Sequence, residues 1–359
     1  MRFPEFTEEW VNVSLKDVAD FQKERISSGL LDESTYISTE NILQNFQGVQ
    51  SAISIPANTN VVAYKKNDIL LSNIRPYLKK VWFSDKIGGC SADVFVLRSK
   101  TCEPEFLYNV IASDKFINYV MSGAKGVKMP RGDKNQMESF SFSIPAVAEQ
   151  RKISRLFQFL DEKIATQNKI IERYESLIRG IRNESFRKLR RNVGFNAMIG
   201  DVLSYEQPQS YIVEDTEYTD EGTPVLTANK AFVLGYTSET AGIYDKGDCI
   251  IFDDFTLDCK YVDFPFKVKS SAIKILTAEN KELLRYTFEF LKYLDLSTDE
   301  HKRHYIAETQ NQEFILPTTQ IVRTISHTFS VLSLRMETVV KQRLMFEKQK
   351  QYLLRQMFI

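Results

Sequence analysis

The chain has 359 residues, 43% of them hydrophobic, with 47 basic and 47 acidic side chains in balance. This is enough apolar material for two domains of ordinary size and excludes global disorder. The neutral total excludes a DNA binder that works by overall basic charge. No apolar run reaches the roughly 18 residues of a membrane span.

The charge is balanced only in sum. Net charge is zero over 1–146, +6 over 147–194, −11 over 195–318 and +5 over 319–359. The start, Met1-Arg2-Phe3-Pro4-Glu5, carries no apolar leader, so no secretory signal is expected. The four cysteines, Cys90, Cys102, Cys249 and Cys259, are scattered and form no CxxC pair. They read as reduced thiols of a cytoplasmic protein.

Along the chain, residues 10–22 read as a short strand followed by a helix start. Residues 34–43, opening with the β-branched stretch Ser34 to Thr39, read as a strand. Ile69-Leu70-Leu71-Ser72 and Asp93-Val94-Phe95-Val96-Leu97 read as buried strands. From Pro104 to Met121 the apolar residues recur at helical spacing. Gly123 to Lys134 is a basic loop with three glycines. Phe140 to Ile144 closes this first part as a strand, and Pro145 ends it.

From Val147 to about Arg191 there is no proline and a single glycine. Phe157, Leu160, Ile164, Gln167, Ile171, Tyr174, Ile178 and Ile181 step by three and four in alternation, a heptad seam. A helix of that length is about 65 Å long and needs a partner for its stripe.

The second half repeats the plan. Leu15-Lys16-Asp17-Val18 returns as Ile199-Gly200-Asp201-Val202, and Tyr64-Lys65-Lys66-Asn67-Asp68 as Tyr244-Asp245-Lys246-Gly247-Asp248. Strands are expected at 223–227 and 249–252, a helix from Leu283 to Leu294, and a basic loop at Asp299-Glu300-His301-Lys302-Arg303-His304. A second seam, Phe329, Leu332, Met336, Val339, Arg343, Phe346, Lys350 and Leu353, follows the first at a constant offset of 172 residues. The expected fold class is α+β: two α/β domains joined by two long antiparallel helices in an intramolecular coiled coil, a pseudo-two-fold repeat. The expected boundaries are 1–146, 147–194, 195–317 and 318–359. Two helices packed separately on their own domains are the alternative.

Catalytic signatures are few. No GxxxxGK[ST] or GxGxxG motif follows a strand. His301 and His304 lack a third ligand at sensible spacing, so no metal site is expected. Asp253, Asp254, Asp258 and Lys260 faintly resemble an acidic nuclease core, a pattern that chance also produces. Asp253 and Asp254 also suit acceptance from cytosine amino groups, or the end of a strand.

Binding chemistry is better represented. Asn73, Arg75, Tyr77, Lys79 and Lys80 follow a buried strand; Asn and Arg suit bidentate hydrogen bonds to adenine and guanine, and Lys suits phosphate. Lys125, Lys128, Arg131 and Lys134 add cations among glycines. In the second half Asn229, Lys230, Lys260, His301, Lys302, Arg303 and His304 are the matching candidates.

These residues resemble the specificity subunit of type I restriction-modification systems. The resemblance rests on Arg2-Phe3-Pro4-Glu5-Phe6-Thr7-Glu8-Glu9-Trp10, on Ser72 to Tyr77, on Lys128 to Asp133, and above all on Ile144-Pro145-Ala146-Val147-Ala148-Glu149-Gln150-Arg151 with Leu160-Asp161-Glu162-Lys163-Ile164. At the second junction Pro317, Arg323 and Ile325 persist but the Ala-Glu-Gln triplet is lost. The resemblance implies two target recognition domains, each reading half of a bipartite double-stranded DNA site. It implies helices that set the spacing and dock two methyltransferase subunits, with restriction subunits joining them. It implies a non-catalytic chain without a cofactor of its own; partners would bring S-adenosylmethionine, ATP and Mg²⁺. The rivals are a coiled-coil adaptor that binds only protein and a Mg²⁺-dependent nuclease.

Overall fold

The computed structural model describes residues 2–228, 231–298, 300 and 302–358. It divides into two compact units, residues 1–167 with 342–359, and residues 168–341. Each unit therefore contains part of both long helices.

The first unit opens with β1 (Val11–Ser14), α1 (Leu15–Val18), β2 (Ala19–Phe21), β3 (Arg25–Ser27) and β4 (Tyr36–Ile37). It continues through β5 (Asn60–Tyr64), β6 (Ile69–Ser72), β7 (Val81–Phe83), β8 (Gly88–Cys90) and β9 (Val94–Ser99). Helices α2 (Pro104–Ile111), α3 (Asp114–Ser122) and α4 (Lys134–Glu138) precede β10 (Ser141–Ile144) and the long α5 (Val147–Asn192). One sheet has the order β2-β9-β6-β7, another β3-β5-β8-β4, and β1 pairs with β10.

Alternation along the central strand sorts its side chains between two cores. Ile69 and Leu71 join Phe106, Phe116, Ile153, Phe157 and Leu160. Leu70 joins Tyr64, Trp82 and Val96 on the other face.

Two expectations change in this unit. The helix expected from Pro104 to Met121 is two helices, because the first ends at Ile111 and Ser113 caps the second: its Oγ accepts from Phe116 N–H at 3.2 Å. The strand expected across 34–43 shrinks to Tyr36–Ile37. Asp32 Oδ1 accepts from the N–H groups of Ser34 and Thr35 at 2.9 Å each, which turns the backbone away from a ladder.

The second unit runs β11 (Ala197–Met198), α6 (Ile199–Val202), β12 (Ser204–Glu206), β13 (Thr223–Leu226), β14 (Val233–Thr237), β15 (Cys249–Asp253) and β16 (Cys259–Val262). Then follow β17 (Lys267–Val268), β18 (Ile273–Thr277), α7 (Lys281–Leu294), β19 (Glu313–Phe314) and the long α8 (Thr319–Met357). Its main sheet, β12-β18-β15-β16, has the connectivity of β2-β9-β6-β7, and β11 pairs with β19 as β1 does with β10. Ile250 and Phe252 face the core that holds Phe186, Leu189 and Val322, while Ile251 faces the other.

The repeated motifs do the same local work twice. Asp17 and Asp201 each accept, at 2.8 Å, from the backbone N–H three residues earlier. Asn67 and Gly247 both sit at positive φ, 69° and 94°, in the turn before the central strand; Asn and Gly are the residues that tolerate this conformation.

The seam positions of both long helices are buried or half-buried while the residues between them are mostly exposed. The helix parts within a unit run antiparallel. In the first, Lys350 Nζ lies 2.6 Å from Asp161 Oδ1 and the Phe157 and Phe358 rings stack at 6.3 Å. In the second, the Arg182 guanidinium lies 5.8 Å from the Phe329 ring centre. Phe157, Leu160 and Leu353 of the seams also enter the first unit's core, and Phe186, Leu189 and Val322, beyond the seams, enter the second's, so the helices are built into the units as well as facing each other. The junction triplet explains itself here. Arg2 donates to Glu149 at 3.0 and 2.9 Å, and Gln150 accepts from Glu103 N–H at 2.9 Å and donates to the Pro145 carbonyl at 2.8 Å.

Candidate nucleic-acid interface

In the first unit two loops about 55 residues apart in sequence are tied into one surface by backbone hydrogen bonds. Asn73 N–H donates to the Asp93 carbonyl at 2.8 Å, Arg75 N–H to the Pro130 carbonyl at 2.8 Å, and Gly132 N–H to the Asn73 carbonyl at 3.1 Å. Ile74 and Arg131 form an antiparallel bridge.

The loop after β6 is strained as well as tied. Arg75 and Lys79 both take the left-handed conformation, with φ of 51° and 52°. That costs a non-glycine residue about 1 kcal/mol each and occurs where the surroundings over-determine the backbone. Pro76 between them fixes the turn.

Several candidates are exposed on this surface: Arg75, Tyr77, Lys125, Lys128 and Arg131. Arg131 Nη1 lies 3.3 Å from Asp93 Oδ1, and Lys125 Nζ lies 3.1 Å from Asp133 Oδ2. The Asp133 carboxyl is held below its ordinary range chiefly by the Gln136 N–H, then by Lys125. Both cations retain more than half of their side-chain exposure and can exchange a surface carboxylate for a phosphate or a base.

The other candidates here are engaged elsewhere. Lys79 pairs with Asp114 at 2.6 Å. Lys80 donates to the Thr39 carbonyl, and burial pulls its ammonium below the usual lysine range. Lys134 begins α4, pairs with Glu138 at 3.5 Å and lies over the Phe21 ring. The Asn73 side chain is half-buried, with Oδ1 turned inward.

In the second unit Asn229, Lys230 and His301 lie outside the described residues. Lys302 is half exposed and paired with Glu300 and Glu308, whose hydrogen bonds push its ammonium above the usual lysine range. Arg303 is half exposed, 3.9 Å from Asp254 Oδ2 and over the Phe255 ring at 5.8 Å.

His304 is an interior residue. Its side chain is 2% exposed, its Nδ1 is 2.8 Å from Glu308 Oε2, and its Nε2 is 3.3 Å from the Glu300 carbonyl. The Glu308 hydrogen bond raises its imidazole above the ordinary histidine range. It orders the loop from inside and is withdrawn from the exposed surface. Lys260 is half-buried on β16 opposite Ile251 and belongs to the sheet, not to this loop.

Asp253 and Asp254 end the central strand. Asp253 Oδ1 accepts from Phe255 N–H at 2.9 Å and Thr256 N–H at 3.0 Å. Asp254 is 1% exposed and accepts from His304 and Tyr305. Neither carboxylate faces solvent for a cytosine amino group. Among the described residues no group of three or more His, Cys, Asp or Glu is placed to hold a metal ion.

Asp93 was not singled out from the sequence, though its carbonyl anchors one loop and its carboxylate meets Arg131. The signal was present as the Ser91-Ala92-Asp93 turn between two strands. All four cysteines are buried and unpaired, and burial raises the thiols of Cys90, Cys102 and Cys249 to about 12 and that of Cys259 to about 11. No helix among the described residues is long and apolar enough to cross a membrane.

Comparison with known proteins gives three kinds of likeness. Residues 7–176 match the family described as type I restriction modification DNA specificity domain. The chain is 46% identical over 126 residues to the type I restriction enzyme EcoR124I/EcoR124II specificity subunit of Escherichia coli, covering 33% of this chain and 31% of that protein. It is 24% identical over 219 residues to the EcoDI specificity subunit of Escherichia coli, covering 59% of this chain and 49% of the relative. The matched stretches thus span half or less of these curated relatives. In fold, the chain is similar to the crystal structure of a type I restriction-modification S subunit from M. genitalium, with a TM-score of 0.66 at 15% identity over 98% of this chain and 96% of that one.

Proposed function

We propose that this chain, whose residues 7–176 match the type I restriction-modification DNA specificity domain, is a member of that family and selects the DNA sequence on which a type I restriction-modification complex acts. Each compact unit reads one half of a bipartite site in double-stranded DNA. One observation carries the reading: two units whose main sheets share one connectivity each place an exposed arginine, Arg131 or Arg303, on a basic loop tied to the end of the central strand.

The charge pattern supports a division of labour. The long-helix segments carry +6 and +5, and the heads are neutral or acidic. Non-specific affinity for DNA comes from neutralised phosphates, whereas specificity comes from base edges. Basic helices together with two methyltransferase subunits supply the first; Arg75, Arg131 and Arg303 supply the second. The long helices dock those subunits and set the spacing between half-sites, and restriction subunits complete the assembly in the cytoplasm. S-adenosylmethionine, ATP and Mg²⁺ belong to the partners. This chain catalyses nothing.

The test is selection from a random duplex pool by the chain bound to its methyltransferase. Two short defined blocks separated by a constant unspecified gap are expected. Enrichment without sequence preference, or of one continuous block, overturns the proposal.

A further inference from the structure

The two units share a tie that the sequence alignment of their motifs does not reveal. Asn73 donates through its N–H to the Asp93 carbonyl and accepts through its carbonyl from Gly132 N–H. Asp254 does the same: its N–H donates to the Ala272 carbonyl at 2.8 Å, and its carbonyl accepts from His304 N–H at 3.1 Å. Strand register agrees, because Ser72 pairs with Val94 and Asp253 with Ile273. Asn73 is therefore the counterpart of Asp254, and Gly132 of His304. The residue before each of the latter is an arginine, and Arg131 and Arg303 stand 172 residues apart, the offset that relates the helix seams.

The tie differs in one respect. In the first unit it is made by backbone alone, since Asn73 Oδ1 accepts no hydrogen bond. In the second, Asp254 Oδ1 also accepts from the N–H groups of His304 at 3.0 Å and Tyr305 at 2.7 Å. Its other oxygen lies 3.5 Å from Nζ of the buried Lys274 and 3.9 Å from Arg303 Nη1. A carboxylate that is 1% exposed and takes two backbone donors fixes the segment that carries them.

We propose that Asp254 is a positioning residue for recognition by the second unit: its carboxylate holds residues 302–305 against the end of the central strand and so presents Arg303 to DNA as the counterpart of Arg131. This rests on the recognition reading above. It adds that the two heads depend differently on one equivalent side chain, essential at 254 and dispensable at 73.

The experiment uses the chain with its methyltransferase bound. Lys274→Met is combined with Asp254→Ala or with Asp254→Asn, so that neither double variant leaves a buried ammonium unpaired. Two quantities are read: amide exchange at His304 and Tyr305, and competition by duplexes scrambled in one half-site only. The Ala double variant is expected to exchange faster there and to lose about tenfold in discrimination at the second half-site, the order of one mismatched base pair, with the first unchanged. The Asn double variant, whose amide oxygen still accepts both N–H groups, is expected to recover to within about threefold of the parent, and Asn73→Ala to leave both half-sites unchanged. Equal loss at both half-sites, unchanged exchange, or faster exchange with intact discrimination overturns the assignment of Asp254. Failure of the parent complex to discriminate either half-site overturns the recognition reading itself, and is seen before any variant is compared.

Discussion

Gln150 is the side chain on which the first junction turns, and replacing it by leucine is the most informative stability test. It is 2% exposed, and both ends of its amide are used. Oε1 accepts from the N–H of Glu103, the residue that precedes the first turn of α2, and Nε2 donates to the Pro145 carbonyl. Leucine fills similar volume but leaves both backbone groups unsatisfied. Each buried group stripped of its partner costs about 1–3 kcal/mol, and the added apolar burial returns roughly 1 kcal/mol. The net expectation is a loss of about 1–5 kcal/mol, centred near 3. For a unit of this size each kcal/mol moves the midpoint by about 2–4 °C, so calorimetry of the full chain should show a drop of roughly 2–20 °C. A loss below about 1 kcal/mol would show that the two backbone groups find other partners and that the triplet is not the structural latch argued for it.

The second junction lacks the triplet and uses Asn196, which donates to the Leu316 carbonyl at 2.9 Å and accepts from Leu316 N–H at 2.8 Å; because it is exposed, Asn196→Ala should cost only about 1 kcal/mol in the same assay. Arg2→Met leaves the fully buried Glu149 carboxylate unpaired and should cost about 2–3 kcal/mol by denaturant titration, below the value for a wholly buried pair because Arg2 keeps 31% exposure. The raised imidazole of His304 gives a pH signature. Its contribution is fully present below the unfolded value of about 6.5 and is lost as pH rises through the higher folded value. The melting difference between the parent and His304→Gln should therefore shrink as pH rises from about 6 to 9, and a pH-independent difference would contradict the Glu308 contact. Arg131→Ala should weaken binding through the first half-site only, read by competition with half-scrambled duplexes.

How much was legible in the sequence depended on whether a residue acts through periodicity or through a distant partner. The seams were readable because burial repeats every three or four residues, and the structure buries or half-buries all sixteen seam positions. The turn before each central strand showed in the sequence only as the repeated motif, although Asn67 and Gly247 are what a left-handed backbone admits. Ser113 was misread because one hydroxyl breaks a helix without disturbing its apolar spacing. His304 was misread because the sequence shows a basic run, while the acceptor that buries it, Glu308, lies one turn onward. The equivalence of Asn73 and Asp254 was hidden because the turn before β15 holds one residue more than the turn before β6 in the register that the cores impose, which shifts the motif alignment by one position. Lys79, Lys80 and Lys134 looked like their neighbours, and only the fold shows that Asp114, the Thr39 carbonyl and Glu138 claim them.

The central claim is that this chain alone chooses the DNA sequence, with a different unit responsible for each half. Methylome sequencing of cells that express it with its methyltransferase tests this most directly, comparing the parent with Arg131→Ala, Arg303→Ala and a deletion of the chain. A split methylated motif is expected that disappears with the deletion and relaxes in one half for Arg131→Ala and in the other half for Arg303→Ala. A motif that persists without the chain, or that relaxes in the same half for both variants, would contradict it.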